Sequence, residues 1–385
     1  MSNEFVPGLA GVVAAKSAIG LIDGNPSEGQ QGILRYRGIR IEALAENSCF
    51  EETAYLLLFG NLPTADALDT FKQRLKGYRA LPEGVVTLLA NLPKDTHPMV
   101  ALQTAVSALG AFFPHFEVEN QSENEDAVVR MISVFPTIVA TFDRLRKGLE
   151  VIAPSADLDH AANYLYMLNG ETPDEAQRKI IDVALILHAE HGFNASTFTG
   201  RVVGSTMANP YGALSAAVGS LSGPLHGGAN ERVLHMLNEI GSPETTESWF
   251  NSAVENKTKI MGLGHRVYKV KDPRATVLQG MARSLFETHG STPLYEIAHK
   301  IETLAAAHPR FGGKGVYPNV DFYSGLVYQK LGMEIDLFTP FFAIARIAGW
   351  GSHWLEQLRD NRIYRPTQMY TGSTESTYTA MSDRT

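Results

Sequence analysis

Cysteine is almost missing from this chain. Cys49 is the only one among 385 residues, which excludes an intrachain disulfide and any cysteine-based zinc centre. It sits in Asn47-Ser48-Cys49-Phe50-Glu51, where Glu51 follows Ser48 by three positions and reads as a helix capping box. Cys49 is therefore expected to be a bystander at a helix start, not a nucleophile. There is no apolar run long enough to span a bilayer, and no basic-then-apolar signal at the N-terminus. A cytoplasmic, reducing setting is the expectation. Positive charge is in deficit, since 33 Lys and Arg against 41 Asp and Glu leave a net charge of −8. That is the opposite of the basic face of a general nucleic-acid binder. An anion site in such a chain must concentrate its cations locally. No repeat with a fixed period of about twenty to fifty residues is present, which argues against a solenoid.

What is there is ordinary globular composition, 44% apolar and 19% charged, in a chain long enough for two or more domains. Residues 11–22 and 33–36 read as short strands or a hairpin around Asp23-Gly24-Asn25-Pro26. From Ile41 onward the periodicity is helical. Helices are expected over 50–59, 63–78, 99–113 and 127–148, with the acidic stretch 120–126 as a solvated loop before the last. A central helix is expected over 173–191, capped by Thr172 with Pro173 at its first position, because residues 180–187 are apolar on nearly every face. Further helices are expected over 211–221, 230–240, 244–257, 275–288, 293–307 and 321–331, then 340–349 capped by Thr339, and 352–361. The last fifteen residues read as a loosely held tail rich in serine and threonine. The fold class is mainly α.

Four places can carry chemistry. Residues 262–274 read Gly-Leu-Gly-His265-Arg-Val-Tyr-Lys-Val-Lys-Asp-Pro-Arg274, offering backbone N–H groups, an imidazole and fixed positive charge to an anion; a solvated basic loop has the same look. His188-Ala-Glu-His191-Gly-Phe-Asn194-Ala-Ser196 sets two histidines on one helix face, but no third ligand stands at motif spacing for zinc. Buried, backbone-satisfied histidines are the alternative, while His191 at a helix end is placed to face a cleft. Gly223-Pro-Leu-His226-Gly-Gly-Ala-Asn230 presents a histidine on a Gly-flanked connection, better placed for function than a core histidine. Pro318-Asn-Val-Asp321-Phe-Tyr-Ser-Gly325 puts a carboxylate at a helix start. Asp321 is then either a helix cap or, in an apolar surround, a base of raised pKa. Arg346, among Ile344, Ala345, Ile347 and Ala348, calls for an anionic partner. Arg362 and Arg365 are surface charges or anion clamps.

With these segments in this order and approximate spacing, the chain resembles citrate synthases over nearly its whole length. The opening Gly-Ile-Leu-Arg-Tyr-Arg-Gly, the run Ala-Tyr-Leu-Leu-Leu-Phe-Gly and Arg346-Ile-Ala-Gly-Trp-Gly-Ser-His-Trp-Leu-Glu-Gln look like bacterial members. The resemblance implies an all-α fold with a short N-terminal hairpin. It further implies a large domain of residues 1–227 and 333–385, an inserted small domain of 228–332, and a homodimer. It implies condensation of acetyl-CoA with oxaloacetate and hydrolysis of citryl-CoA, the entry step of the tricarboxylic acid cycle, with no cofactor besides the co-substrate.

In those terms Asp321 is the base that takes the acetyl proton, His226 donates to the thioester oxygen, and His265 polarises the ketone. His191, Arg274 and Arg346 meet the oxaloacetate dianion, with Arg365 reaching in from the partner subunit, and Asn194 and Ser196 support the pocket. Gly262, Leu263 and Gly264 lie by the CoA adenine, with Arg266 and Lys314 near its phosphates. Leu263 departs from the family's usual aromatic residue. The chain lacks the N-terminal region of longer bacterial members, which lowers the expectation of NADH-type inhibition. The rival readings are a 2-methylcitrate synthase using propionyl-CoA, a non-catalytic helical scaffold and a histidine-metal enzyme.

Overall fold

The computed structural model describes residues 5–23, 32–114, 117–264 and 270–384, with the backbone alone at Ala229. The chain opens with a three-stranded antiparallel sheet: β1 (Gly20–Asp23) pairs with β2 (Ile33–Tyr36), Gly20 facing Tyr36, and β2 pairs with β3 (Ile39–Arg40). The strand expected over 11–22 is thus confined to its end. β2 is only four residues long and offers residues 11–19 no ladder to join.

Sixteen α-helices follow among the described residues. The first eight are α1 (Ile41–Asn47), α2 (Phe50–Phe59), α3 (Ala65–Gly77), α4 (Glu83–Ala90), α5 (Pro98–Phe112), α6 (Gln121–Arg146), α7 (His160–Asn169) and α8 (Glu175–His188). Then come α9 (Ala195–Gly204), α10 (Pro210–Ser222), α11 (Ala229–Ile240), α12 (Thr246–Glu255), α13 (Pro273–His289), α14 (Pro293–Ala307), α15 (Val320–Lys330) and α16 (Phe338–Arg359). α16 packs on α2, α5, α6, α8, α9, α10 and α11, so it is the post around which the others stand. α11 to α15 pack largely on one another, α15 on α11 and α13 and α12 on α14. No helix among the described residues is long and apolar enough to cross a membrane.

Four expectations are corrected. Residues 121–126 are the first turns of α6, because Asn120 caps the helix by accepting the Glu123 N–H; polarity there reflects exposure, not a loop. α8 starts at Glu175, where Asp174 and Gln177 form a reciprocal capping box, not at Thr172-Pro173. The helices expected over 340–349 and 352–361 are one, with Thr339 inside its first turn. Its glycines are required by contact: a Cβ on Gly349 would stand 2.4 Å from the Ala189 carbonyl oxygen, and one on Gly351 2.2 Å from Val128 Cγ1.

The fourth correction is the box around Cys49. Ser48 and Glu51 do not cap α2; Glu51 Oε1 instead accepts the His160 N–H. The Phe50 N–H donates to Asp182 Oδ1 at 2.8 Å, a carboxylate from 132 residues away. Burial raises Asp182 from 3.8 to about 7, against the pull of that bond, with Glu51 adding to the rise. The folded chain therefore holds this proton more tightly than the unfolded chain does. The resulting stability is complete below about pH 4 and is lost as pH rises through about 7. Asp182→Asn keeps an acceptor for Phe50 and removes the buried charge. Urea unfolding of this variant is expected to show a gain on the order of 2–4 kcal/mol at pH 8, since each tenfold change in proton affinity is worth about 1.36 kcal/mol, and the gain should vanish near pH 4. A variant less stable than the parent at pH 8 would contradict it. Burial also raises the Cys49 thiol to about 12, consistent with an inert bystander.

Candidate active site

A cavity of about 630 Å³ opens where α9, α11, α13 and α15 begin, and α16 crosses beneath. Four helix N-termini converge here, since Ala195, Gly228, Arg274 and Val320 all line the wall. Their exposed N–H groups and dipoles make a positive field in a protein that is negative overall. His191, Asn194, His226, Arg274, Asp321 and Arg346 line the same cavity, although they lie up to 155 positions apart in sequence, from 191 to 346. Gly8, Leu9, Gly11, Val12 and Ala14 of the N-terminal segment also line it, a role with no signal in the sequence.

Asp321 stands in the first turn of α15. The helix cap is Asn319, whose side chain accepts the Asp321 N–H at 3.0 Å, so the Asp321 carboxyl is free of capping duty. Burial raises it to about 6, moderated by Arg274 and Arg346 and assisted by Asp272. A base near neutral pH results.

His226 is held by its Nε2. The Ser196 backbone N–H donates to that nitrogen at 3.2 Å, and Ser196 Oγ is 2.7 Å from it. A backbone amide can only donate, so Nε2 carries the lone pair and the neutral ring keeps its proton on Nδ1. Ser196 Oγ is fixed in turn by Asn194 Oδ1 at 2.8 Å and by the Trp350 indole N–H at 3.0 Å. Burial, then Arg346, lowers the His226 pKa to about 4, so the imidazole donates a hydrogen bond without bringing a full charge.

The two arginines differ. Arg274 grips Asp272 through two bonds, Nη2 to Oδ2 at 2.8 Å and Nε to Oδ1 at 3.1 Å, both residues buried. Asp272 also caps α13, and sequence reasoning did not foresee its hold on Arg274. Arg346 is 1% exposed. Its Nε donates to the His188 carbonyl at 2.6 Å and its guanidinium lies 4.5 Å over the Phe342 ring. Its buried Nη2 has no partner among the described residues. Burial lowers its pKa to about 10, opposed first by Glu190, so it stays cationic at neutral pH with a donor to spare for an anion.

His188 is a buried core residue, but its Nε2 lies 2.6 Å from the Tyr328 hydroxyl and not against the backbone carbonyl expected for a core histidine. Among the described residues no group of three or more His, Cys, Asp or Glu side chains is placed to hold a metal ion. His265 and Arg266 lie outside the described residues. Gly262, Leu263 and Gly264 form a bridge to the start of α15, Leu263 pairing with Pro318 and Gly264 N–H donating to the Tyr317 carbonyl. They and Lys314 are not part of the cavity wall. Arg365 lies on the exposed segment beyond α16 and does not line the cavity of its own chain.

A raised carboxyl, a neutral imidazole with its proton on Nδ1, and a buried arginine with a donor unused among the described residues define a helical enzyme for a small anionic substrate. The family model described as citrate synthase, C-terminal domain, matches residues 8–367. The citrate synthase of Synechocystis sp. is 50% identical over 99% of this chain and 95% of its own. The crystal structure of citrate synthase from Pyrobaculum aerophilum, 39% identical, superposes with a TM-score of 0.91 over 99% of this chain and 95% of its own. The Thermoplasma acidophilum citrate synthase, solved as a ternary complex with carboxymethyl coenzyme A and oxaloacetate, is 34% identical with a TM-score of 0.91 over the full length of both. The chain belongs to the citrate synthase family.

Proposed function

We propose that this cavity carries out the reaction of its family: condensation of acetyl-CoA with oxaloacetate, then hydrolysis of citryl-CoA to citrate and CoA. The observation that supports it best is one cavity lined by both Asp321, raised to about 6, and Arg346, whose buried Nη2 has no partner among the described residues. Asp321 takes a proton from the acetyl methyl. The His226 Nδ1–H donates to the thioester oxygen, where negative charge develops. The enolate carbon then bonds to the ketone carbon of oxaloacetate, whose oxygen receives a proton; the family resemblance gives that task to His265. Arg346, Arg274 and His191 meet the two carboxylates, and the four helix N-termini add to the attraction. Water then cleaves the thioester and frees CoA. Acetyl-CoA is a co-substrate, and the reading calls for no resident cofactor.

Oxaloacetate bound to the Thermoplasma relative supports the same substrate here. The packing of α11–α15 on one another supports residues 228–332 as a smaller domain that closes on its substrates. The position of Arg365 outside its own cavity supports a homodimer in which the partner's arginine completes the site.

The test is thiol release from acetyl-CoA with and without oxaloacetate, alongside propionyl-CoA. Oxaloacetate-dependent release that favours acetyl-CoA is the expected result. Preference for propionyl-CoA would make the chain a 2-methylcitrate synthase, and no release with either ester would sink the enzymatic reading.

A further inference from the structure

One buried carboxylate beside the cavity has no part in the chemistry above. Glu190 is fully buried in the turn between α8 and α9. A carboxylate at such a place is costly unless it is strongly bound. The fold makes room for it by omitting side chains on two sides. A Cβ on Gly20 of β1 would stand 2.8 Å from its Oε1, and one on Gly349 of α16 2.5 Å from its Oε2.

Its Oε1 accepts the Gly192 N–H at 2.5 Å and faces His353 Nε2 at 3.1 Å. The direction of the second bond follows from the next link. Arg201 Nη1, which can only donate, lies 3.1 Å from His353 Nδ1. Nδ1 therefore carries the lone pair and Nε2 the proton that points at Glu190. Arg201 is itself anchored, by Glu356 Oε2 at 2.9 Å and Gln357 Oε1 at 2.9 Å, while Glu356 Oε1 accepts the Ala18 N–H at 2.9 Å. A line of donors thus runs from α9 through α16 and ends on Glu190 Oε1, to which the Gly192 amide donates from the turn.

Gly192 lies among His191, Phe193 and Asn194, the cavity residues of this turn. Its φ of +61° is left-handed backbone, and a Cβ there would press on Ile22 Cδ1 at 3.0 Å. Asn194 closes the turn from its other side, its Nδ2 reaching the Gly192 carbonyl at 3.3 Å while its Oδ1 holds Ser196 and the Thr197 N–H. Behind the cavity the Tyr36 hydroxyl meets the Glu190 carbonyl at 2.9 Å and holds the start of the turn, while Asn194 and the buried Glu190 carboxylate hold its Gly192 end.

We propose that Glu190 is a positioning residue for the oxaloacetate end of the site. Its carboxylate, oriented by His353 and Arg201, clamps the Gly192 N–H and so sets where His191 and Asn194 stand. The part concerning oxaloacetate rests on the function proposed above. The clamp itself rests on the geometry alone.

The experiment compares the wild-type protein with Glu190→Asp, Glu190→Gln and His353→Asn. It follows both KM values, kcat, thermal stability and amide hydrogen exchange across residues 188–197. Glu190→Asp shortens the reach to Gly192 and is expected to raise the oxaloacetate KM about tenfold or more, since misplacement on the order of 1 Å is that costly. The acetyl-CoA KM should rise several-fold less in the same variant, because the clamp bonds the Gly192 N–H beside His191 directly and reaches His226 only through Asn194 and Ser196. Glu190→Gln keeps the length and an acceptor oxygen, so its increase is expected to be the smaller of the two. His353→Asn withdraws only the support and is expected to shift the same KM in the same direction. In each variant with a raised KM, exchange should quicken in the 188–197 stretch and remain unchanged elsewhere.

An unchanged oxaloacetate KM in folded Glu190→Asp would overturn the proposal, as would a parallel rise of both KM values with a general loss of protection. If the wild-type protein shows no oxaloacetate-dependent thiol release, the functional reading falls. The exchange pattern still decides the clamp, because unchanged protection at 188–197 in Glu190→Asp overturns it.

Discussion

Asp321→Asn is expected to lower kcat by about 10²–10⁴-fold, the range that a positioned general base contributes, while the oxaloacetate KM changes little. The asparagine fits the same space at the start of α15 but cannot take a proton. The parent's pH profile carries a second signature. Only the ionised carboxylate is a base, and burial sets Asp321 at about 6. kcat should therefore fall tenfold per pH unit below about 6 and level off above it, a limb that the variant lacks. Stability should move the other way. The folded pKa lies above the unfolded 3.8, so this group's stabilising contribution is present below about pH 4 and lost as pH rises through about 6. At pH 8 the asparagine variant should melt no lower than the parent, which separates lost chemistry from lost folding. A variant retaining more than about a tenth of the parental kcat would show that the base lies elsewhere.

Arg346→Leu is expected to raise the oxaloacetate KM by about thirty-fold to several thousand-fold, the equivalent of about 2–5 kcal/mol for truncating one side of a buried charge pair. The acetyl-CoA KM should barely respond. The reasoning is geometric: the Nε is used by the His188 carbonyl, and the buried Nη2 has no partner among the described residues. Arg346→Lys should recover little of the loss, because an ammonium cannot hold the His188 carbonyl and a carboxylate in one fixed plane. Steady-state kinetics with each substrate varied in turn checks both variants. Equal shifts in the two KM values, or recovery by lysine to within about twofold of the parent, would mean that Arg346 acts as a structural charge and does not grip the dianion.

Much of the site was legible in the sequence because its parts lie in short segments whose residue types limit what they can do. His226 between glycines, Asp321 at a helix start and Arg346 in an apolar helix each stand out alone. Their relation did not, since a cavity wall assembled from five elements leaves no periodic trace. The same holds for Trp350, whose indole fixes Ser196 yet reads as one more apolar residue. It holds too for Arg274, whose bidentate hold on Asp272 looks in sequence like an ordinary helix cap followed by a cation.

By itself the sequence determined that this chain is helical, where most of its helices run, which family it resembles, and which side chains are fit for proton transfer and anion binding. These are local properties: periodicity of 3.6, the permitted backbone of glycine, the donor and acceptor inventory of a residue type. The tertiary structure alone decided that Asp182 caps a helix 132 residues away. It also decided that α16 runs unbroken through two glycines, and that Asn319 is the cap of α15 while the Asp321 carboxyl is buried and raised. Those outcomes depend on burial and on contacts between distant segments, and a pKa, a tautomer or a close backbone approach exists only once the surrounding helices have excluded water.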